Sequence, residues 1–219
     1  MKAVIFGTGD IAQIAAFYFE RDSIADVVAF TVDRAFVPDP PEFEGRPVVA
    51  FEDLATTHPP TDFALFIALS YTSMNRLREA KYVAADALGY QLLSYVSPQC
   101  TYRSQFPPGK NCFIFEDNTV QPFVRLGNNV TLWSGNHIGH HSSIADHVFV
   151  SSHVVISGHC TVGSHSFLGV NSTVAHGVNV AEGTLLGAGA VLAKDSDVNG
   201  VYVPPRSVKL EKTSDQIAL

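Results

Sequence analysis

The stretch Ile144-Ala145-Asp146-His147-Val148-Phe149-Val150-Ser151-Ser152-His153-Val154-Val155-Ile156-Ser157-Gly158-His159-Cys160-Thr161-Val162 carries an aliphatic residue at every sixth position. Followed outward, the frame holds at Ile114, Val120, Leu126, Leu132 and Ile138 on one side, and at Leu168, Val174, Val180, Leu186 and Leu192 on the other. If roughly a quarter of residues were Ile, Leu or Val, fourteen such positions in one frame would arise by accident on the order of once in 10⁸. The next residue is usually small, as at Gly127, Gly139, Gly163 and Gly169, and the fourth is mostly Ser, Thr, Val, Ala or Cys. A helix cannot use period six with so much Gly and Val. A parallel β-helix can, because each hexad forms a short strand and a turn with one aliphatic side chain inward. The frame therefore predicts a β-helix of about five coils from residue 114 to about 197.

Charge follows the same boundary. The chain has 219 residues, 16% of them charged, against about 25% in an average soluble domain. Residues 1–110 hold nine Lys+Arg and thirteen Asp+Glu, whereas 114–192 hold only Arg125, Glu116, Asp117, Asp146 and Glu182. That second stretch also carries eight of the nine histidines. A formal net charge of -7 argues against a nucleic-acid partner. No apolar run approaches the roughly 20 residues of a bilayer span, and Gly7 follows the first strand too early for a signal peptide. A cytoplasmic protein without membrane insertion is expected. Three cysteines without CxxC spacing indicate neither a disulfide framework nor a cysteine metal site.

Ahead of the repeat, Lys2 to Phe6 reads as a buried strand, followed by Gly7-Thr8-Gly9-Asp10-Ile11-Ala12 and an apolar-periodic helix. A strand, a GxGxxA turn and a helix place backbone N–H groups where a phosphate can sit. The next strand, Val27 to Val32, ends at Asp33, the spacing at which an acid meets a ribose hydroxyl. Strands at Asp62–Leu69 and Leu92–Val96 flank a helix that ends near Leu88. About four strands make half a Rossmann unit, too few for a full dinucleotide fold. The expected division is 1–98, a Rossmann-like α/β domain, and 99–219, the β-helix with a C-terminal tail.

This combination resembles the bacterial hexapeptide-repeat sugar acyltransferases, the branch related to sialic acid O-acetyltransferases and nucleotide-linked 4-amino-sugar N-acetyltransferases. The resemblance implies a left-handed coil, a homotrimer with active sites between prisms, acetyl-CoA as cosubstrate, a nucleotide-linked sugar as acceptor for surface-glycan synthesis, and no metal. It places the sugar nucleotide against Gly7, Thr8, Gly9 and Asp33, with Asn75 and Arg76 in a polar loop before the next helix. The catalytic histidine of the family matches His140 in Leu132-Trp133-Ser134-Gly135-Asn136-His137-Ile138-Gly139-His140-His141, with Trp133 and Asn136 toward the acceptor. The acid that the family commonly has beside this histidine is replaced here by Gly139 and His141. His141 then becomes the partner that fixes the tautomer of His140, or a carboxylate arrives from Glu116, Asp117 or Asp146. Gly158, Gly169, Asn171, Gly187 and Arg206 match the acetyl-CoA-lining coils and tail.

Acyl transfer from a thioester needs a base that titrates near the working pH, an oxyanion donor and a held near-attack geometry. Histidine as a residue type suits the first. A backbone amide near Gly158 or Gly163 suits the second. Two other readings remain open at this level. One is a zinc hydratase or hydrolase using the abundant histidines; the other is a non-catalytic nucleotide-sugar-binding scaffold.

Overall fold

The computed structural model describes residues 1–211 and 213–217. Five strands form the N-terminal sheet: β1 (Lys2–Phe6), β2 (Asp26–Val32), β3 (Glu42–Phe43), β4 (Arg46–Ala50) and β5 (Phe63–Ile67), in the order β3-β4-β2-β1-β5. The main helices are α1 (Asp10–Arg21) and, after the single turn α2 (Leu54–Thr57), α3 (Arg76–Ala87). β1 pairs in parallel with both β2 and β5, which gives the expected half-Rossmann core. The hairpin β3–β4 adds two strands to the four expected, because the Pro-rich run before it reads as loop although Glu44-Gly45 makes a two-residue turn. The strand expected over Leu92–Val96 is split. Leu92 bridges to Leu65 in the N-terminal sheet, while Tyr95–Val96 already pairs with Phe113–Ile114 of the repeat.

The repeat is a left-handed parallel β-helix whose two-residue strands stack 18 residues apart on three faces. The first face carries Phe113–Ile114, Thr131–Leu132, Phe149–Val150, Phe167–Leu168 and Leu185–Leu186. The second carries Thr119–Val120, His137–Ile138, Val155–Ile156, Thr173–Val174 and Val191–Leu192. The third carries Arg125–Leu126, Ser143–Ile144, Thr161–Val162 and Asn179–Val180. All fourteen frame aliphatics are buried, and most join one core with Val124, Val130, Val148, Val154 and Cys160 from the fourth-residue positions. Each such side chain contributes about 1.5–3 kcal/mol of burial. Tyr95–Val96 and Thr101–Tyr102 extend the coil backward, since Val96 and Tyr102 lie 18 residues before Ile114 and Val120.

The corners explain most of the histidines. The third residue after each frame aliphatic from Ile114 to Leu186 has positive φ, including His141, His147, His153, His159 and His165 at φ 58–61°. Among non-glycine residues, Asn, Asp and His accept this left-handed region best. Five of the eight repeat histidines are therefore corner residues first.

The first face of the prism docks on the N-terminal domain. Tyr71 packs its ring on Phe149 and Phe167, and Tyr18 of α1 meets Phe115 edge-on at 5.3 Å. The guanidinium of Arg78, fully buried, donates to Asn75 Oδ1 at 3.1 Å, to the Val148 carbonyl at 3.3 Å and to Thr131 Oγ1. Among the described residues no helix is long and apolar enough to cross a membrane.

Candidate active site

β1 ends in Gly7, whose φ of +124° and close approach to the Ala68 carbonyl, 2.9 Å from where a Cβ would stand, admit only glycine. Gly9 then caps α1 in extended backbone with open space where a side chain would be. Together with Thr8, Ser70, Tyr71 and Trp133 they line a cavity of about 500 Å³. The turn and the β-helix thus meet at one place, with Trp133 as the shared wall.

The other expected acceptor contacts lie elsewhere. Asp33 accepts from Lys81 Nζ at 2.5 Å, an ion pair between the end of β2 and α3. Asn75 is fully buried and bonds to Arg78 and to the Ser166 carbonyl, so it works in domain docking. Arg76 is exposed, 3.9 Å from both Glu79 and Glu182. Asn136 sits inside the prism, donating to the Trp133 carbonyl and accepting from the Val154 amide.

His140 is exposed on the corner between the second and third faces. Gln121 Oε1 accepts its backbone N–H at 2.8 Å, and its Nδ1 is 3.1 Å from Nδ1 of His141. One coil further on lies Gly158, where an added Cβ would stand 2.9 Å from both Cε1 and Nε2 of the His140 ring. The Gly158 N–H donates to no protein acceptor among the described hydrogen bonds. The His140 ring therefore stands over the Cα of Gly158, a residue whose amide has no partner among the described hydrogen bonds. His141 stacks on His159 at 4.8 Å with planes 6° apart, and His176 lies edge-on to His159. Burial, reinforced by the neighbouring imidazoles, holds His159 below the ordinary histidine value.

Two sets of side chains offer three metal-ligand atoms within 4.8 Å of one another: His140, His141 and His159, and Glu79, His147 and His165. In the first, the parallel rings of His141 and His159 send their lone pairs side by side, not toward a common point. In the second, Asn129 Nδ2 donates to Nδ1 of His147. The carbonyl oxygen of Asn129 is already engaged by Asn111, itself tied to both backbone groups of Ile67. His147 must then carry its proton on Nε2, toward Glu79, where a metal would need a lone pair.

The carboxylates expected to serve His140 are on other corners. Glu116 accepts from Tyr18 at 2.7 Å and Ser134 at 2.5 Å, Asp117 belongs to the same corner, and Asp146 accepts from the Asn128 amide at 2.6 Å. Within the protomer His141 is the partner of His140. Gly169, Asn171 and Gly187 run along the Trp133 corner, away from Gly158 and His140, and Arg206 lies exposed in the tail. Gly169 is a packing glycine, its absent Cβ 2.7 Å from the Ala188 nitrogen. The expected site is thus divided between two edges of one prism.

A family model described as bacterial transferase hexapeptide (six repeats) matches residues 123–158. No curated protein sequence matches the chain. Among solved structures, the acetyltransferase domain of PglB from Neisseria gonorrhoeae is similar at 22% identity and TM-score 0.81, covering 93% of this chain and 96% of its own. PerB from Caulobacter crescentus, in complex with CoA and GDP-perosamine, has 22% identity and TM-score 0.79 over 93% of this chain and 94% of its own. WeeI from Acinetobacter baumannii has 15% identity and TM-score 0.68 over 93% and 97%. In repeat and in fold, the chain is a hexapeptide-repeat protein with an N-terminal α/β domain, the architecture it shares with these structures.

Proposed function

We propose that the protein transfers an acetyl group from acetyl-CoA to the amino group of a nucleotide-linked sugar. The observation that carries this reading is the His140 ring lying against Gly158, whose amide has no partner among the described hydrogen bonds. It gains support from similar folds whose structures hold acetyl-CoA, or CoA with GDP-perosamine. His140 donates Nδ1–H to His141, which leaves the Nε2 lone pair beside Gly158. As the sugar nitrogen bonds to the thioester carbon, Nε2 takes its proton. The carbonyl oxygen, now negative, accepts from the Gly158 N–H, a rigid donor that needs no reorganisation. Collapse breaks the carbon–sulfur bond, and the departing thiolate takes the proton from His140. The products are the acetamido sugar and CoA.

The nucleotide occupies the Gly7–Gly9 cavity, and the acceptor sugar reaches past Trp133 toward the prism. Because His140 is on a different edge from Trp133, a neighbouring copy supplies it, as a trimer of side-by-side prisms allows. Release of CoA thiol, followed over a panel of nucleotide-linked amino and hydroxy sugars, tests the reading. Amino sugars are expected to be consumed, and His140→Ala to lower turnover by about 10²–10⁴-fold. Full turnover by that variant sinks the base assignment. No thioester consumption with any nucleotide sugar sinks the reaction and leaves a binding scaffold.

A further inference from the structure

A second cavity, of about 520 Å³, lies on the other side of Trp133, between the outer face of α1 and the prism corner. Its walls include the rings of Phe17, Tyr18, Phe115 and Trp133, and Glu44 and Glu116 stand on its lining. The one basic residue in the lining, Arg46, is already engaged. It donates to the Val27 carbonyl at 2.8 Å, to the Glu44 carbonyl at 3.1 Å and to the Glu20 carboxylate. Glu44 and Glu116 have no basic partner among the described ion pairs.

Both carboxylates are held in place. Ser134 and Tyr18 donate to opposite oxygens of Glu116. Burial pushes that carboxyl up, but these two donors outweigh it and keep it below the usual carboxylate value, hence ionised. Gln13 Nε2 donates to Glu44 Oε1 at 2.8 Å. Glu44 also occupies the first centre of the β3–β4 turn at φ 51°, followed by Gly45 at φ 70°. That turn geometry favours Asn, Asp or Gly at the first centre, and a longer side chain is held there against backbone preference. Aromatic walls with two fixed carboxylates, neither of them in a described ion pair and only Glu116 reached at a distance by the Arg21 charge, are the chemistry that receives an organic cation. The same rings already hold one, for the Arg21 guanidinium lies over Tyr18 at 4.8 Å and over Phe17 at 5.6 Å.

We propose that this cavity is a binding site for a small organic ammonium ion, a primary amine of monosaccharide size or less. The site is separate from the Gly7–Gly9 cavity but shares Trp133 with it, so an occupant of either touches the same indole. Nothing in it depends on acyl transfer.

Trp133 is the only tryptophan in the chain, so its fluorescence reports an occupant of either cavity, and the Glu116 and Glu44 variants assign the signal to this one. The full-length protein is titrated with glucosamine, and with N-acetylglucosamine as the neutral counterpart. Glucosamine is expected to change the emission saturably and N-acetylglucosamine to leave it unchanged at the same concentrations. Glu116→Gln is expected to weaken glucosamine binding about ten-fold. Glu44→Gln, on an exposed turn, gives the same test without disturbing the Ser134 and Tyr18 contacts. Equal binding of the two sugars, or unchanged affinity in both folded variants, overturns the proposal.

Discussion

At the residue scale, the geometry around His140 turns on an absent side chain. A Cβ on Gly158 would press on Cε1 and Nε2 of the His140 ring, which belongs to an exposed side chain free to swing aside. Gly158→Ala is therefore expected to fold with little loss of thermal stability. Its turnover should fall by about 10²-fold, because a displacement near 1 Å misaligns the base with the nucleophile. Gly163, the other glycine offered as an oxyanion donor, differs: its Cβ would stand 2.5 Å from the Glu182 backbone nitrogen, which cannot yield. Gly163→Ala is expected to lower the melting temperature, with any loss of turnover following the loss of fold. Thermal melts beside CoA-release rates separate the two, and a Gly158→Ala enzyme at full turnover counts against the amide assignment.

At the element scale, Asn111, Asn129, His147 and His165 stack 18 residues apart at the corner between the third and first faces, and Glu79 of α3 closes the column. Burial, partly opposed by Glu79, holds the His147 imidazole below its ordinary value near 6.5. The folded protein thus binds this proton less well than the unfolded chain. Stability tied to the neutral ring is fully present above about pH 6.5 and is lost as the pH falls through the lower folded value. His147→Asn should flatten that acid-side slope in melting temperature between pH 7 and 5. The change keeps a residue that accepts positive φ and repeats the Asn111–Asn129 bond one coil on. An unchanged slope would assign the acid sensitivity to another group. The column also shows what was legible beforehand. Period six gave the inward aliphatics and the corner positions, because both follow from chain geometry alone. It gave no sign that His147 and His165 would face Glu79, 86 residues before His165 in sequence. Nor did it show that Asn75 and Arg78 would serve docking; a polar loop before a helix reads the same whether it meets a ligand or another domain.

At the scale of the whole molecule, docking and catalysis make different demands on the first face of the prism. Arg78 is buried without a carboxylate partner, and burial lowers its guanidinium to about 10. Its donors satisfy Asn75 in its own domain and Thr131 and Val148 across the domain boundary, so Arg78→Met strands those acceptors and is expected to destabilise by about 2–4 kcal/mol in denaturant unfolding. A loss within experimental error would mean that the remaining contacts, the aromatic packing and the Asn75–Ser166 and Glu79–His165 bonds, join the domains without it. The same rigid docking fixes the Gly7–Gly9 cavity at the Trp133 corner and leaves His140 on another edge, which one chain cannot bring together. If the site forms between copies, two inactive variants should restore each other. Gly9→Phe fills the Gly7–Gly9 cavity, because the space beyond the Gly9 Cβ position is open, and His140→Ala removes the proposed base. Each alone should be inactive in CoA release. Co-expressed in equal amounts in a closed ring, they leave roughly one interface in four with both an intact cavity and an intact base. Activity should therefore recover to about a quarter of the parent, while separately purified variants mixed without subunit exchange stay inactive. A co-expressed pair as inactive as its parts would place cavity and base in the same chain.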